Sequence, residues 1–90
     1  MYKIVETKKY NKKLIKFFKN HPNLLKKYKK TMFLLEDNPH HPSLRLHKLK
    51  GELKEYSSIS IDMEYRIIID FIIIDERIFL IDIGSHDEVY

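Results

Sequence analysis

The chain has no cysteine and no tryptophan, and only two glycines and three prolines among its 90 residues. Lack of cysteine excludes disulfides and thiolate metal sites, and makes a reducing cytoplasm the expected home. So little glycine and proline excludes collagen-like, low-complexity and fully disordered chains. The two glycines, Gly51 and Gly84, stand apart, which leaves no phosphate-cradling glycine loop and no nucleophilic serine elbow. Long apolar runs are also missing. The longest, Ile67 to Ile74, is broken by Asp70 and falls far short of the roughly 20 residues a membrane helix needs. Met1 to Glu6 has no apolar signal core, so no secretion signal is expected. What remains is one globular domain over residues 1–90. A chain of this size buries roughly 60–65% of its extended surface in a single modest core.

Acids are nearly absent from the first half. Residues 1–50 carry 14 Lys and Arg against 3 acids, and residues 51–90 carry 3 against 10, so +11 and −7 stand behind the net +4. From Lys8 to Leu35 there are ten lysines and no acid. A solvated helix face normally intersperses acids to gain i,i+4 pairs. An unbroken basic face repels itself and suits a polyanion such as RNA, which would relieve the repulsion and release counterions. Lys12, Lys16, Lys26 and Lys30 on the helices, and Lys48 and Lys50 in the following basic segment, are the candidate RNA- or ribosome-binding residues.

Tyr2 to Glu6 reads as a short strand, and Thr7 as the cap of a helix over residues 8–19. Tyr10, Leu14, Phe17 and Phe18 form its apolar stripe. Residues 20–23 break it. A second helix over residues 24–36 places Leu25, Tyr28, Met32 and Leu35 on one face, and the short connection makes an antiparallel hairpin. After Gly51 the period changes to two. Strands are expected at Tyr56–Ile61 with Ile59 and Ile61 inward, at Tyr65–Ile73 with both faces apolar, and at Arg77–Ile83, followed by a polar tail from Gly84 to Tyr90. The fold class is α+β, in the order β-α-α-β-β-β: a helical hairpin packed on one face of a small antiparallel-rich sheet. The other face would carry Tyr56, Ser58, Ser60 and Arg66, with Ser60 across from Arg66 and Ser85 beside them.

Arginine in the most apolar strand has two readings. It is either a salt bridge to Asp70 or Asp82, or a guanidinium fork for phosphate on an open sheet face. RNA cleavage needs a base for the 2′-OH, a hold on the phosphate, neutralisation of developing charge and an acid for the leaving oxygen. His47, Glu64, Arg66, His86 and Tyr90 supply candidates for these tasks around one face. A zinc site at His40, His41 and His47 is the weaker reading, since no cysteine and no carboxylate at a recognised spacing accompany them. No metal or cofactor is expected.

The segments His47-Lys48-Leu49-Lys50-Gly51, Tyr56 to Ile61, Tyr65-Arg66-Ile67-Ile68 and Ile83-Gly84-Ser85-His86-Asp87-Glu88-Val89-Tyr90 together resemble the RelE/ParE toxin superfamily of bacterial type II toxin–antitoxin systems. The closest branch is that of the YafQ-like and RelE-like mRNA interferases. This resemblance covers essentially the whole chain. It implies a metal-independent endoribonuclease that enters the ribosomal A site and cuts translated mRNA, with a cognate antitoxin as its neutralising partner. It further implies that His47 and His86 are active-site histidines, Arg66 the phosphate-facing arginine and Tyr90 the ring on the substrate base, with Glu64 where such toxins have an aspartate. Ser60 stands where YafQ-like toxins carry another histidine, and Ser57 and Ile59 where RelE-like toxins carry lysines. Two other readings compete: a ParE-like poison of DNA gyrase, and a binding module for RNA or antitoxin with weakened catalysis.

Overall fold

The computed structural model describes residues 1–72 and 75–90. Strand β1 (Lys3–Glu6) leads into helix α1 (Lys8–Asn20), a 3₁₀ turn at Pro22–Leu24 and helix α2 (Leu25–Asp37). Then come β2 (His47–Lys48), β3 (Ser57–Ser60), β4 (Tyr65–Ile72), β5 (Arg77–Ser85) and a terminal helical turn, α3 (His86–Val89). The strands form one five-stranded sheet in the order β1-β5-β4-β3-β2. β1 runs parallel to β5 and every other pair is antiparallel, so the sheet is mixed. Ile73, which the strand reading included, lies outside the described residues, as does Ile74.

The α+β class, the hairpin and the order of the main strands are as the sequence predicts. Thr7 caps α1, its hydroxyl accepting from the Tyr10 N–H at 3.1 Å. The stripe of α1 is buried at Tyr10 and Phe17 and partly buried at Leu14 and Phe18. On α2 the buried positions are Tyr28, Thr31 and Leu35. Leu25 does not join them. It is 43% exposed, because the 3₁₀ turn rotates the entry to α2 and Leu24 takes its place in the core. Opposite the helices stand Ile59, Ile67 and Ile83 in one cross-strand row, with Ile69 and Leu80 paired beyond it.

A bulge in β5 lies between the pairs Ile68–Asp82 and Ile69–Leu80, leaving Ile81 unpaired. Ile72 pairs with Arg77, two positions short of the register that a two-residue turn at 75–76 would give, and the bulge recovers one of the two, so Gly84, and not Ser85, lies across from Arg66, and Ser85 faces Tyr65. The expected pairing of Ser60 with Arg66 is observed.

The helix charges work against the helices. Neither first turn holds an acid, and Lys8, Lys9, Lys26 and Lys27 sit at the positive ends of the dipoles. Such placement forfeits roughly 0.3–1 kcal/mol per charge. The close ion pair from this basic surface to the sheet, among the described residues, is Lys13 to Asp82 at 2.8 Å.

Between the helices, the Tyr10 and Tyr28 hydroxyls share a buried hydrogen bond of 2.8 Å. Burial and the neighbouring Tyr28 push the Tyr10 phenol far above its ordinary range. Burial lifts Tyr28 to about 12, against the lowering effect of the bond from Tyr10. The unfolded chain sheds both protons near pH 10 and the folded chain holds them, so stability should fall as pH rises from about 10 towards 12. Tyr28→Phe, which strands the fully buried Tyr10 hydroxyl, should cost about 1–3 kcal/mol at neutral pH, whereas the Tyr10→Phe/Tyr28→Phe pair should cost less than Tyr28→Phe alone. Urea unfolding at neutral and alkaline pH checks both.

Candidate active site

On the sheet face away from the hairpin, strand alternation gathers Ser58, Ser60, Arg66 and Ile68. Pairing of β2 with β3 sets His47 directly opposite Ser58. Gly84 to Tyr90, expected as a polar tail, instead continues β5 through Ser85 and folds back as α3 against β4 and β5. Its local cause is a capping box. The Ser85 hydroxyl accepts from the Glu88 N–H at 3.3 Å, and a Glu88 carboxylate oxygen accepts from the Ser85 N–H at 2.9 Å. That backbone N–H, then the Ser85 side chain, hold the Glu88 carboxyl below its usual range. Val89 is buried, and Gly84 lies tight beneath the turn: a Cβ there would meet Glu88 Cβ and Val89 Cγ1 at 3.2 Å each.

The fold-back carries Tyr90 to Ser58. The Tyr90 hydroxyl donates to Ser58 Oγ at 2.5 Å and lies 3.3 Å from His47 Nε2. On its other side the His47 ring places Nδ1 3.1 Å from the Arg45 carbonyl. With Nδ1 turned to the Arg45 carbonyl, which can only accept, Nε2 is the ring nitrogen that faces the Tyr90 hydroxyl. His86 packs its ring edge-on against Tyr90, centroids 4.3 Å apart, and its backbone N–H donates to the Glu64 carbonyl at 3.2 Å. The His47 and Tyr90 rings are also edge-on, at 6.4 Å.

Arg66 is half-buried. Its Nη1 donates to the carbonyls of Asp62 at 2.6 Å and Tyr65 at 3.3 Å. Among the described residues no carboxylate is in ion-pair range of it. The expected alternative of a bridge to Asp70 or Asp82 is therefore not formed, and Asp82 is engaged by Lys13. Glu64 joins the group through its carbonyl, while its side chain is exposed. His47, His86 and Tyr90 thus meet directly, with Arg66 on the same face. Lys12, Lys16, Lys26, Lys30, Lys48 and Lys50 are all exposed. Among the described residues, no three of His, Asp or Glu come together as a metal site.

Three contributors lie outside the site residues the sequence singles out. Ser58, expected on this face from alternation alone, is fully buried and receives the Tyr90 hydroxyl. Asp62 shapes the β3–β4 turn, its Oδ1 accepting from the N–H groups of Glu64 and Tyr65. The Arg45 carbonyl holds His47. An Asp opening a turn is a readable signal, as is the Ser-x-x-Glu of the capping box. A carbonyl contact leaves no residue-type signal at all.

A helical hairpin on one side of a mixed sheet, with a histidine–tyrosine–histidine group and an arginine on the other, defines a RelE-like toxin. The chain belongs to the YafQ family of bacterial type II toxin–antitoxin toxins, whose sequence profile matches residues 2–90. It is similar in structure to YafQ from E. coli strain BL21(DE3), with a TM-score of 0.79, 18% identity and coverage of 100% of this chain and 99% of that one. YafQ in the E. coli DinJ-YafQ complex gives 0.77, 18%, and 100% and 99%. A metal-bound toxin from Helicobacter pylori gives 0.74, 29%, and 100% of both chains. No curated protein matches the chain. Among the described residues, no helix is long and apolar enough to cross a membrane.

Two outcomes follow from the fold-back. Tyr90→Phe keeps the ring but leaves the buried Ser58 hydroxyl without its donor, and should cost about 1–3 kcal/mol in urea unfolding. Because the folded Glu88 carboxyl titrates below its unfolded value, its stabilising contribution is in place above the ordinary carboxylate range and is lost as pH falls below it. Glu88→Gln should flatten that acid limb, read from melting curves across the acid range.

Proposed function

We propose that this toxin is an endoribonuclease that cleaves mRNA on the translating ribosome by attack of a 2′-OH on the adjacent phosphate. The observation that carries the reading is the contact of His47, Tyr90 and His86 on the face that also presents Arg66 without a carboxylate partner.

Each chemical task finds a side chain. His47, oriented between the Arg45 carbonyl and the Tyr90 hydroxyl, is suited to protonate the leaving 5′-oxygen. His86, with its ring exposed beside Tyr90, is suited to take the 2′-OH proton. Arg66 neutralises charge as it builds on the phosphoryl oxygens, and its anchoring through carbonyls leaves the full positive charge available. Tyr90, 42% exposed, offers ring surface for a base. Glu64 positions His86 through its main-chain carbonyl, which accepts from the His86 N–H at 3.2 Å. Because side chains cover all four tasks, the scheme calls for no metal. Docking falls to the lysines of the hairpin, Lys12, Lys16, Lys26 and Lys30, and to Lys48 and Lys50, against ribosomal RNA. A cognate antitoxin neutralises the toxin, as the E. coli DinJ-YafQ complex suggests by likeness. The place of action is the cytoplasm.

Adding the protein to a cell-free translation system and mapping mRNA 5′-ends tests the reading. Cuts within codons on ribosomes are expected. Intact mRNA in reactions whose translation the protein arrests would overturn it. Arg66→Lys should lose cleavage nearly as completely as Arg66→Ala, by about 10²-fold or more, because a point charge cannot reproduce the guanidinium fork. Single-turnover cleavage on programmed ribosomes reads this. Changing Lys12, Lys16, Lys26 and Lys30 to Gln should weaken ribosome binding and flatten its salt dependence without lowering the melting temperature, since it removes like-charge repulsion.

A further inference from the structure

Between α2, the turn at Pro42–Leu44 and the β3–β4 turn lies an open cleft of about 330 Å³. Three cations line it, Lys27, Lys30 and Arg45, with the hydroxyl-bearing Ser43 and Ser60 and a single carboxylate, Asp62. Asp62 is already engaged: one oxygen accepts two backbone N–H groups, and the other lies 4.0 Å from Lys27. Lys30 and Arg45 have no carboxylate partner among the described residues. The remaining lining is largely aliphatic, so the cleft pairs a cationic rim with an apolar wall.

The cleft is joined to the candidate active site at two points. Arg45 and Asp62, which line it, are also the residues whose carbonyls hold His47 and Arg66. Arg45 is itself left-handed, at φ 50°, a backbone state that an arginine adopts at a cost. Strain of this kind persists where the surroundings demand a particular placement. Here it turns an arginine into the cleft while directing its carbonyl at His47.

We infer that this cleft is a phosphate subsite for single-stranded RNA, taking a phosphodiester that flanks the one cleaved at Arg66, with Lys27 and Arg45 as its charge and a ribose or base against its apolar wall. The inference rests on the nuclease reading, since it assigns the cleft to the same strand. A flanking phosphate bound here would fix the strand's path past His47 and Arg66.

The test uses a single-stranded oligoribonucleotide with 2′-O-methyl sugars, which binds but cannot be cut because the attacking hydroxyl is blocked. Its affinity is measured against salt for the parent chain and for the variant Lys27→Gln/Arg45→Asn. Asparagine tolerates the left-handed backbone, so the fold is kept. Losing one phosphate contact should lower affinity about tenfold and reduce the slope of log affinity against log salt by about 0.7. Unchanged affinity and slope, with the parent chain cutting mRNA normally, would sink the subsite alone. The expected loss in a parent chain that cuts no mRNA would leave an RNA phosphate site in the cleft but overturn the nuclease reading and, with it, the assignment of the cleft to a cleaved strand. A variant that keeps its RNA affinity but loses an acidic antitoxin segment would show that the cleft takes carboxylates, and would overturn the proposal.

Discussion

A chain of this length has helix enough to cover one face of its sheet and no more. Period-two alternation does the rest. Ile59, Ile67 and Ile83 turn towards the hairpin, and Ser58, Ser60 and Arg66 turn away from it. The reverse face would be wet throughout but for α3. That single turn brings Val89 down, and three further side chains are buried on that side, Ile68 at 2% exposure, Ser58 at 0% and Ser60 at 7%. A partly dry patch follows, on a face that otherwise meets water. There a hydrogen bond such as that from Tyr90 to Ser58 is stronger than on an open surface, and an unpartnered hydroxyl is costlier. The candidate site is what the remaining face becomes when one core has used the available apolar residues.

The two halves of the chain divide the electrostatic work. Lysines at the positive helix ends, spaced at i,i+4 as in Lys8 and Lys12, Lys9 and Lys13, or Lys26 and Lys30, oppose helix formation instead of aiding it. The hairpin is held by its apolar stripes and by the Tyr10–Tyr28 bond, not by its surface. Surface charge placed against stability fits a role with an anionic partner, and the proposed docking on RNA supplies one. Three of the ten acids of the second half are used at home: Asp62 and Glu88 cap backbone turns, and Asp82 pairs with Lys13.

Much of the architecture was legible because it follows from spacing. Thr7 before the helix, the stripe at Tyr10, Leu14 and Phe17, and the switch to period two after Gly51 each correspond to an element where expected. Legibility failed where tertiary geometry overrode spacing. Leu25 has the right period but loses its place to Leu24, because Pro22 begins a 3₁₀ turn. Ser85 misses Arg66 by one position, because β4 and β5 start pairing at Ile72–Arg77 and the bulge at Ile81 restores only one residue of that offset, and neither feature carries a clear mark in an isoleucine-rich strand. The terminal segment is polar by composition, yet its Ser85–Glu88 spacing is a helix start. His47, Arg66, His86 and Tyr90 were nameable through the family resemblance, whereas their residue types alone would not have joined them.

What holds those residues explains the remaining gap. His47 is positioned by the carbonyl of Arg45, Arg66 by that of Asp62, and His86, through its own N–H, by that of Glu64. A carbonyl is neutral. It can orient a guanidinium without cancelling its charge, and an imidazole without adding one, where a carboxylate in the same place would pair with the cation and compete with a substrate phosphate. An anion site on a half-open sheet face needs cations that are ordered and yet unneutralised. Main-chain acceptors meet both demands, at positions where the side chain is left free for other work, as with Arg45 and Asp62 in the neighbouring cleft. The same arrangement makes the site hard to read from residue types, because every residue carries the group that does the holding.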